Sequence, residues 1–355
     1  MTLKLRSEQK ALHAAIAAVA HAVPSRPTHP ILAGILLETL DGKLTASSFD
    51  YELAATSSLN VDAPDTRILV PGRYLVDLLG RMPAGPIDLV SDDRHLTIAA
   101  GRAKATIPLL PIDDYPALPA MPPLLGTVDG EALAAALKHG GQAVDPDGLG
   151  SICGVRLQSA DGTLEVTATD RYRIHTFSLP WAGEDVAATI PLPSLKSAAA
   201  LDDGQVRIHG DESTIALATD TRTSSTRLIA DEYVKWRSLL PTPKHEVTLD
   251  AAALIDALKR TAAVNERSLP VTLAFVDGTL HVDSGTAEGP STSEDLEYEG
   301  SLRLPLRFNA AYLLDVLAPI VGQVRLGVTD ASKVVMFTAE PADTYRGLLM
   351  PVRPA

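Results

Sequence analysis

One pattern recurs three times along the chain. ILAGILLETLDGKLTASSFDYEL, SICGVRLQSADGTLEVTATDRYRI and LPVTLAFVDGTLHVDSGTAEG each join two strand-like runs through an Asp-Gly pair. The pairs begin at Asp41, Asp161 and Asp277, 120 and 116 residues apart. Asp-Gly between alternating apolar runs is a strong hairpin signal, because a type I′ turn needs positive φ at both central residues. A fixed period makes each copy one folding unit, and the chain an array of such units.

The flanks repeat in step. SEQKALHAAIAAVAHAV, DGEALAAALKHGGQAV and DAAALIDALKRTAAV precede the hairpins, with apolar residues at i, i+3 and i+4. Ser7, Asp129 and Asp250 are the expected N-caps. Gly140 and Gly141 should stop the second of these helices early, since glycine costs about 1 kcal/mol inside a helix. PGRYLVDLLGRM, PLPSLKSAAAL and NAAYLLDVLAPI follow the hairpins as second helices, each opening on Pro or Asn. Further strands start after Gly85, Gly204 and Gly322, spaced 119 and 118 residues apart. The pattern predicts an α+β chain of three repeated domains, each with two helices packed on antiparallel sheets of six to eight strands. Boundaries at 1–120, 121–245 and 246–355 fall near YPALPAMPP and LLPTPKH.

Composition narrows the function. The 355 residues are 46% hydrophobic and only 4% aromatic, so the cores must be built from Leu, Val, Ile and Ala. A single cysteine, Cys153, excludes an intrachain disulfide or a Cys-based zinc site and fits a reducing cytoplasm. Charged residues interrupt the N-terminal apolar run, which reads as a helix of the fold, with no export signal and no membrane span. The net charge of −13 counts against tight nucleic-acid binding unless cations are gathered on one face. No GxxxxGK[ST], HExxH or GxSxG string occurs, and the nine His have no metal-ligand spacing. Asp113 with Asp114 and Glu294 with Asp295 are adjacent pairs whose side chains diverge on a strand. No catalytic residue, metal or cofactor is expected.

Several strings of mixed composition then become specific. RPTHPIL, SFDYEL, DDYPALP, TATDRYRI, DEYVKWRSLLP, FNAAYLLDVL and LLMPVR resemble the bacterial beta sliding clamp, the processivity subunit of DNA polymerase III, with actinobacterial members most similar. The resemblance spans all three repeats. It implies subunits of three similar domains that join head to tail as a homodimer, closing a ring around duplex DNA with helices lining the hole. It also implies a non-catalytic tether. Its partners would be DNA polymerase III, the clamp loader and other proteins carrying clamp-binding peptides, with no membrane involved. Topological binding needs only a weak basic lining, which reconciles DNA with an acidic chain.

Carried over position by position, the resemblance supplies candidate residues. For DNA these are Arg26 and Arg73, which match contact positions of the family. Lys10, Arg81, Lys138, Lys196, Lys259 and Arg260 join them as basic residues on the repeated helices. The partner pocket would comprise Ile152, Thr169, Arg171, Tyr172, Arg173 and Ile174, then Val234, Ser238 and Leu239, then Ser332, Val334, Leu348, Met350, Pro351, Val352 and Arg353. Apolar members would form a groove for Leu or Phe anchors, Met would adapt to varied partners, and Arg would supply donors at the rim. Two positions depart from the family: Val234 replaces a usual Pro, and Ser238 a longer polar side chain. The dimer contact maps to Ala105 and Ile107 facing Ala263 and Val264, small residues that imply a weaker or repacked interface. These departures leave a second reading, a specialised clamp paralog with an altered pocket that tolerates a clamp-targeting antibiotic. A scaffold that binds only proteins is a third.

Overall fold

The computed structural model describes residues 2–201, 204–264, 270–285, 290–340 and 344–352, with the backbone alone for 262–264. The first copy of the repeat runs β1 (Lys4–Glu8), α1 (Gln9–Val19), β2 (Gly34–Leu40), β3 (Lys43–Phe49), β4 (Leu53–Asn60), β5 (Thr66–Pro71), α2 (Gly72–Arg81), β6 (Pro86–Ser91), β7 (His95–Ala100) and β8 (Ala103–Pro108). The second runs β9 (Leu124–Asp129), α3 (Gly130–Gly140), β10 (Gly154–Ala160), β11 (Thr163–Thr169), β12 (Arg173–Pro180), β13 (Ala182–Gly183), β14 (Ala187–Pro191), α4 (Leu195–Ala198), β15 (Gln205–Gly210), β16 (Thr214–Ala218) and β17 (Arg222–Arg227). The third runs β18 (His245–Asp250), α5 (Ala251–Val264), β19 (Pro270–Val276), β20 (Thr279–Gly285), β21 (Ser291–Glu297), β22 (Glu299–Gly300), β23 (Pro305–Asn309), α6 (Ala310–Leu317), β24 (Gln323–Val328), β25 (Val335–Glu340) and β26 (Tyr345–Leu349). The same order of elements appears three times, except that copies two and three insert the two-residue strands β13 and β22. Among the described residues those copies therefore hold nine strands each, one more than the six to eight expected.

The turns are set by the residues that mark the repeat. Asp41, Asp161 and Asp277 have φ of 50°, 49° and 45°, each followed by a glycine at positive φ. All three hairpins therefore turn through the left-handed region at both central positions. Two of the three expected N-caps hold. Asp129 Oδ1 accepts the Ala132 amide at 2.9 Å, and Asp250 Oδ1 accepts the Ala253 amide at 2.7 Å. Ser7 does not cap: it lies within β1, paired with Ile87, and α1 starts two residues later without a side-chain cap. Helix α3 stops at Gly140, where the double glycine begins a 3₁₀ turn. PLPSLKSAAAL forms much less helix than expected, one 3₁₀ turn and the four-residue α4. Its serines have poor helix propensity, and buried Ser194 is bonded to Thr226 instead, at 2.7 Å between hydroxyls.

Two compact units result, because the second copy gives strands to two sheets. The first unit comprises residues 1–134, 182–184 and 193–228, the second 135–181, 185–192 and 229–355. In the first, a nine-stranded antiparallel sheet has the order β5-β2-β3-β4-β17-β16-β15-β9-β13, beside a four-stranded sheet β1-β6-β7-β8. Leu12 and Ile16 of α1 and Leu75 and Leu79 of α2 share one buried cluster with Ile35, Leu44, Leu89 and Ile98 from both sheets. Burying each such side chain fully contributes about 1.5–3 kcal/mol.

The second unit repeats this plan. Its nine-stranded sheet is β14-β10-β11-β12-β26-β25-β24-β18-β22, and its four-stranded sheet is β21-β20-β19-β23. Leu254 and Leu258 of α5 and Leu313 and Val316 of α6 are fully buried. Phe308 of β23 meets Phe337 of β25 edge to face, with ring centroids 5.9 Å apart. Strand for strand, the two large sheets correspond, with β4 against β17 standing where β12 against β26 stands.

Candidate functional site

The turn between β11 and β12 begins the site. Asp170 Oδ1 accepts the amides of Tyr172 and Arg173, both at 3.0 Å. Thr169 Oγ1 accepts the Arg171 amide at 3.2 Å and donates to the Arg173 carbonyl at 2.8 Å. These bonds hold Arg171 at φ 78°, a region that costs a non-glycine residue roughly 1–3 kcal/mol. The Arg171 guanidinium turns outward and meets Asp145 Oδ2 at 2.8 Å.

Beyond the turn, β12 pairs with β26, bringing Ile174 opposite Leu348. Both are buried, as is Trp236 of the 3₁₀ turn Trp236–Leu239, and the three share one apolar cluster with Tyr233, Leu240, Val334 and Met336 at its edge. Above this floor lies a groove of about 580 Å³. Thr169, Arg171, Tyr172, Arg173, Ile174, Val234, Leu239, Ser332, Val334, Leu348 and Met350 line it, eleven of the expected pocket residues, together with Lys333. Tyr172, Leu239 and Met350 leave 59%, 50% and 40% of their surface exposed, so apolar area awaits a cover.

Other expected members lie elsewhere. Half-buried Ile152 sits in the 3₁₀ turn Gly150–Cys153, Ser238 Oγ donates to the Lys235 carbonyl, and Pro351 is buried. Val352 donates its amide to the Arg307 carbonyl, and Arg353 lies outside the described residues. Arg173 is not a rim donor. It is buried, with Nε 3.0 Å from Asp170 Oδ2, further hydrogen bonds to Asp315 and the Gln142 carbonyl, and its guanidinium 4.3 Å from the Tyr312 ring centre. A buried guanidinium needs all its partners, so this one is a strut beneath the groove.

Behind the strut lies His175, with no exposed surface. Tyr345 Oη donates to the Val316 carbonyl at 2.9 Å and so accepts from His175 Nδ1 at 3.3 Å. Burial first, then the charges of Arg173 and His139, lower the His175 pKa to about 3. Burial raises the Tyr345 and Tyr233 hydroxyls above their ordinary range, and the Tyr233 hydroxyl donates to the Thr167 carbonyl.

The first unit carries the counterpart of this site with different chemistry. Asp50 Oδ1 accepts the amides of Glu52 and Leu53, and Tyr51 has φ 78° like Arg171. Ala54 faces Ser225 where Ile174 faces Leu348. The Arg227 amide reaches the Glu52 carbonyl as the Met350 amide reaches Tyr172. Only about 120 Å³ remains there, under residues 118–121.

The basic candidates are all exposed: Lys10, Arg26, Arg73, Arg81 and Lys196 in the first unit, and Lys138, Lys259 and Arg260 in the second. Lys259 lies 3.6 Å from Asp256, and Arg260 grips Glu294 through two nitrogens at 2.8 and 2.5 Å. Of the dimer candidates, Ile107 departs from expectation. The pleat of β8 turns Ile107 into the core of its own unit, 3% exposed, rather than toward a partner. Ala105 is half-buried, and the side chains of Ala263 and Val264 lie outside the described residues. Among the described residues no group of three His, Cys, Asp or Glu could hold a metal, and no helix is long and apolar enough to cross a membrane.

The family model described as the DNA polymerase III beta subunit, N-terminal domain, matches residues 3–119, and the C-terminal domain model matches 237–353. The beta sliding clamp of Streptomyces coelicolor is 33% identical, with 99% of each chain covered. A beta sliding clamp homolog of Streptomyces muensis, GriR, is 27% identical over 99% of each. Among solved structures, the DnaN sliding clamp of Pseudomonas aeruginosa bound to griselimycin superposes with a TM-score of 0.92 at 25% identity, covering 100% of both chains. The Bacillus subtilis clamp shares the fold at a TM-score of 0.90 and 21% identity.

Proposed function

The chain belongs to the bacterial beta sliding clamp family, the beta subunits of DNA polymerase III, and from that membership we propose how its residues work as a processivity factor. It is a DNA sliding clamp. Two copies, each of three domains at 1–120, 121–245 and 246–355, close head to tail around duplex DNA and hold it without chemistry. Exposed Lys10, Arg26, Arg73, Arg81, Lys138 and Lys196 carry no ion pair among the described residues, and they face the phosphates weakly and in a salt-dependent way. Lys259 and Arg260 contribute less, since Asp256 and Glu294 already offset their charge. The clamp acts in the cytoplasm, on DNA.

The groove over Ile174, Leu348 and Trp236 is the observation that carries the reading. An apolar floor with exposed flanking side chains suits short peptides that insert Leu or Phe, the helix-free analogue of a hydrophobic groove recognising anchor residues. DNA polymerase III, the clamp loader and other clamp-binding proteins would dock there in turn. The decisive experiment loads the protein onto nicked circular DNA. Retention that is lost on linearising the circle supports a closed ring, and equal retention on both forms refutes it.

A second reading has its own observation. By the resemblance, Val234 and Ser238 stand where the family usually has other residues, Val234 lines the groove, and full-length likeness extends to GriR. A specialised copy would bind griselimycin more weakly than the housekeeping clamp of the same cell, and equal affinity removes this reading.

A further inference from the structure

The large sheet of the first unit holds an opening of its own, of about 440 Å³, which meets the small space under residues 118–121 at Thr56 and Leu118. Directly paired residues of β2, β3 and β4 form its floor: Thr45 stands opposite Glu38, and Ser47 opposite Thr56. Ser47 is only 2% exposed, yet it lines the opening and its hydroxyl has no hydrogen-bond partner among the described residues; the hydroxyls of Thr45 and Thr56 have none either. Buried hydroxyls are normally bonded, so this floor is ready for a polar ligand. Glu38 and Asp41 line the same opening without an ion pair among the described residues, and Lys43 offsets only one of their two charges.

The second unit shows the same positions satisfied from within. Counted from the turns at Asp41 and Asp161, Thr167 and Thr176 stand for Ser47 and Thr56, and Glu165 for Thr45. The Thr167 and Thr176 hydroxyls bond each other at 3.0 Å, and Arg237, from the segment that leads into the third copy, donates its guanidinium to Glu165. The segment that leads into the second copy is anchored alike, with Tyr115 Oη accepting the Phe49 amide at 2.9 Å as Tyr233 Oη is tied to the Thr167 carbonyl at 3.1 Å. It then runs on as PALPAMPP and supplies no cation.

We infer that this opening in the first unit binds an arginine side chain presented by a partner protein, doing in trans what Arg237 does within the second unit. A guanidinium suits it better than an ammonium. Its five donors can reach hydroxyls and carboxylates together, and its weakly hydrated faces can lie against Leu40 and Leu118, which flank the floor. A carboxylate pair with one opposing lysine leaves the site net negative, so a cation is attracted and an anion is not.

Methyl NMR of the full-length protein, labelled at Thr and Leu, tests this. The probes are the N-acetyl methylamides of arginine, citrulline, lysine and glutamate. The arginine probe should shift the Thr45, Thr56 and Leu118 methyls saturably and bind about tenfold more tightly than neutral citrulline. Glu38→Gln combined with Asp41→Asn should erase that difference, since Asn keeps the positive φ of the turn. Lys43→Gln should tighten arginine binding about threefold, and Ser47→Ala should weaken it about threefold. Unchanged methyl signals from the second unit identify the variants that remain folded. Equal affinity for arginine and citrulline overturns the inference, because shape alone then decides. Equal affinity for lysine overturns the choice of a guanidinium. Tighter binding of glutamate, lost in Lys43→Gln, overturns it by making the opening an anion site, and the absence of a saturable shift with any probe overturns the site itself.

Discussion

His175 is the residue whose ionisation matters most to the fold. Buried beside Arg173, with Nδ1 committed to Tyr345, it is held neutral in the native state, with its pKa lowered from 6.5 to about 3. The unfolded chain takes up a proton as pH falls through about 6.5 and the folded chain does not. Stability from this group is therefore complete above that pH and declines by about 1.4 kcal/mol per pH unit until about pH 3. Urea melts at pH 7 and pH 5 should differ by about 2 kcal/mol from this source, and His175→Gln should flatten the slope whatever its absolute cost. His139 is lowered in the same direction by burial and adds to the trend. None of this is legible in TATDRYRI and the residues after it, since a histidine on a strand carries no sign of what lies behind it. The groove lining was legible where mixed strings such as TATDRYRI and LLMPVR fixed positions one by one. Lys333 and Trp236 were not: a lone lysine in a turn has no pattern, and Trp236 functions from underneath. Arg173 misled as a rim donor because partners from three separate segments bury it.

At the scale of the element, capping separates residues that look alike in sequence. Asp129 and Asp250 each receive an amide at the start of their helix, and Ser7 receives none. Asp129→Ala and Asp250→Ala should each lower stability by about 1 kcal/mol in chemical denaturation, and Ser7→Ala should stay within about 0.5 kcal/mol. The first helix and hairpin of each repeat could be read directly because period and turn chemistry agree there. The helix predicted for PLPSLKSAAAL could not, because Ser194 found a hydroxyl partner in Thr226 and tertiary context overrode the pattern. The two-residue strands β13 and β22 also escape any periodicity, being too short to alternate.

For the whole molecule, the four-stranded sheets suggest how copies associate. Strand β8 ends one and carries Lys104, next to Arg102 in the turn before it; β21 ends the other and carries Glu297, besides Glu294 and Asp295, which already meet Arg260 and His281. If two copies pair head to tail with one copy's β8 against its partner's β21, basic residues would meet acidic ones there. With Ile107 turned inward and Ala105 small, charge and main-chain bonds would carry much of that contact. Lys104→Glu should then weaken the dimer about tenfold in analytical ultracentrifugation, with the gap closing in high salt. Nanomolar association unaffected by either charge or salt would point to apolar packing instead.

The paired large sheets carry one more implication. The same backbone crossing exists in both units, but only Ile174 and Leu348 make it a receptacle, while Ala54 and Ser225 leave the other nearly filled. On the proposed function, the number of clients a closed pair could hold would be decided by side chains and not by architecture. Two copies would offer two berths, enough for one protein to wait on DNA while another works.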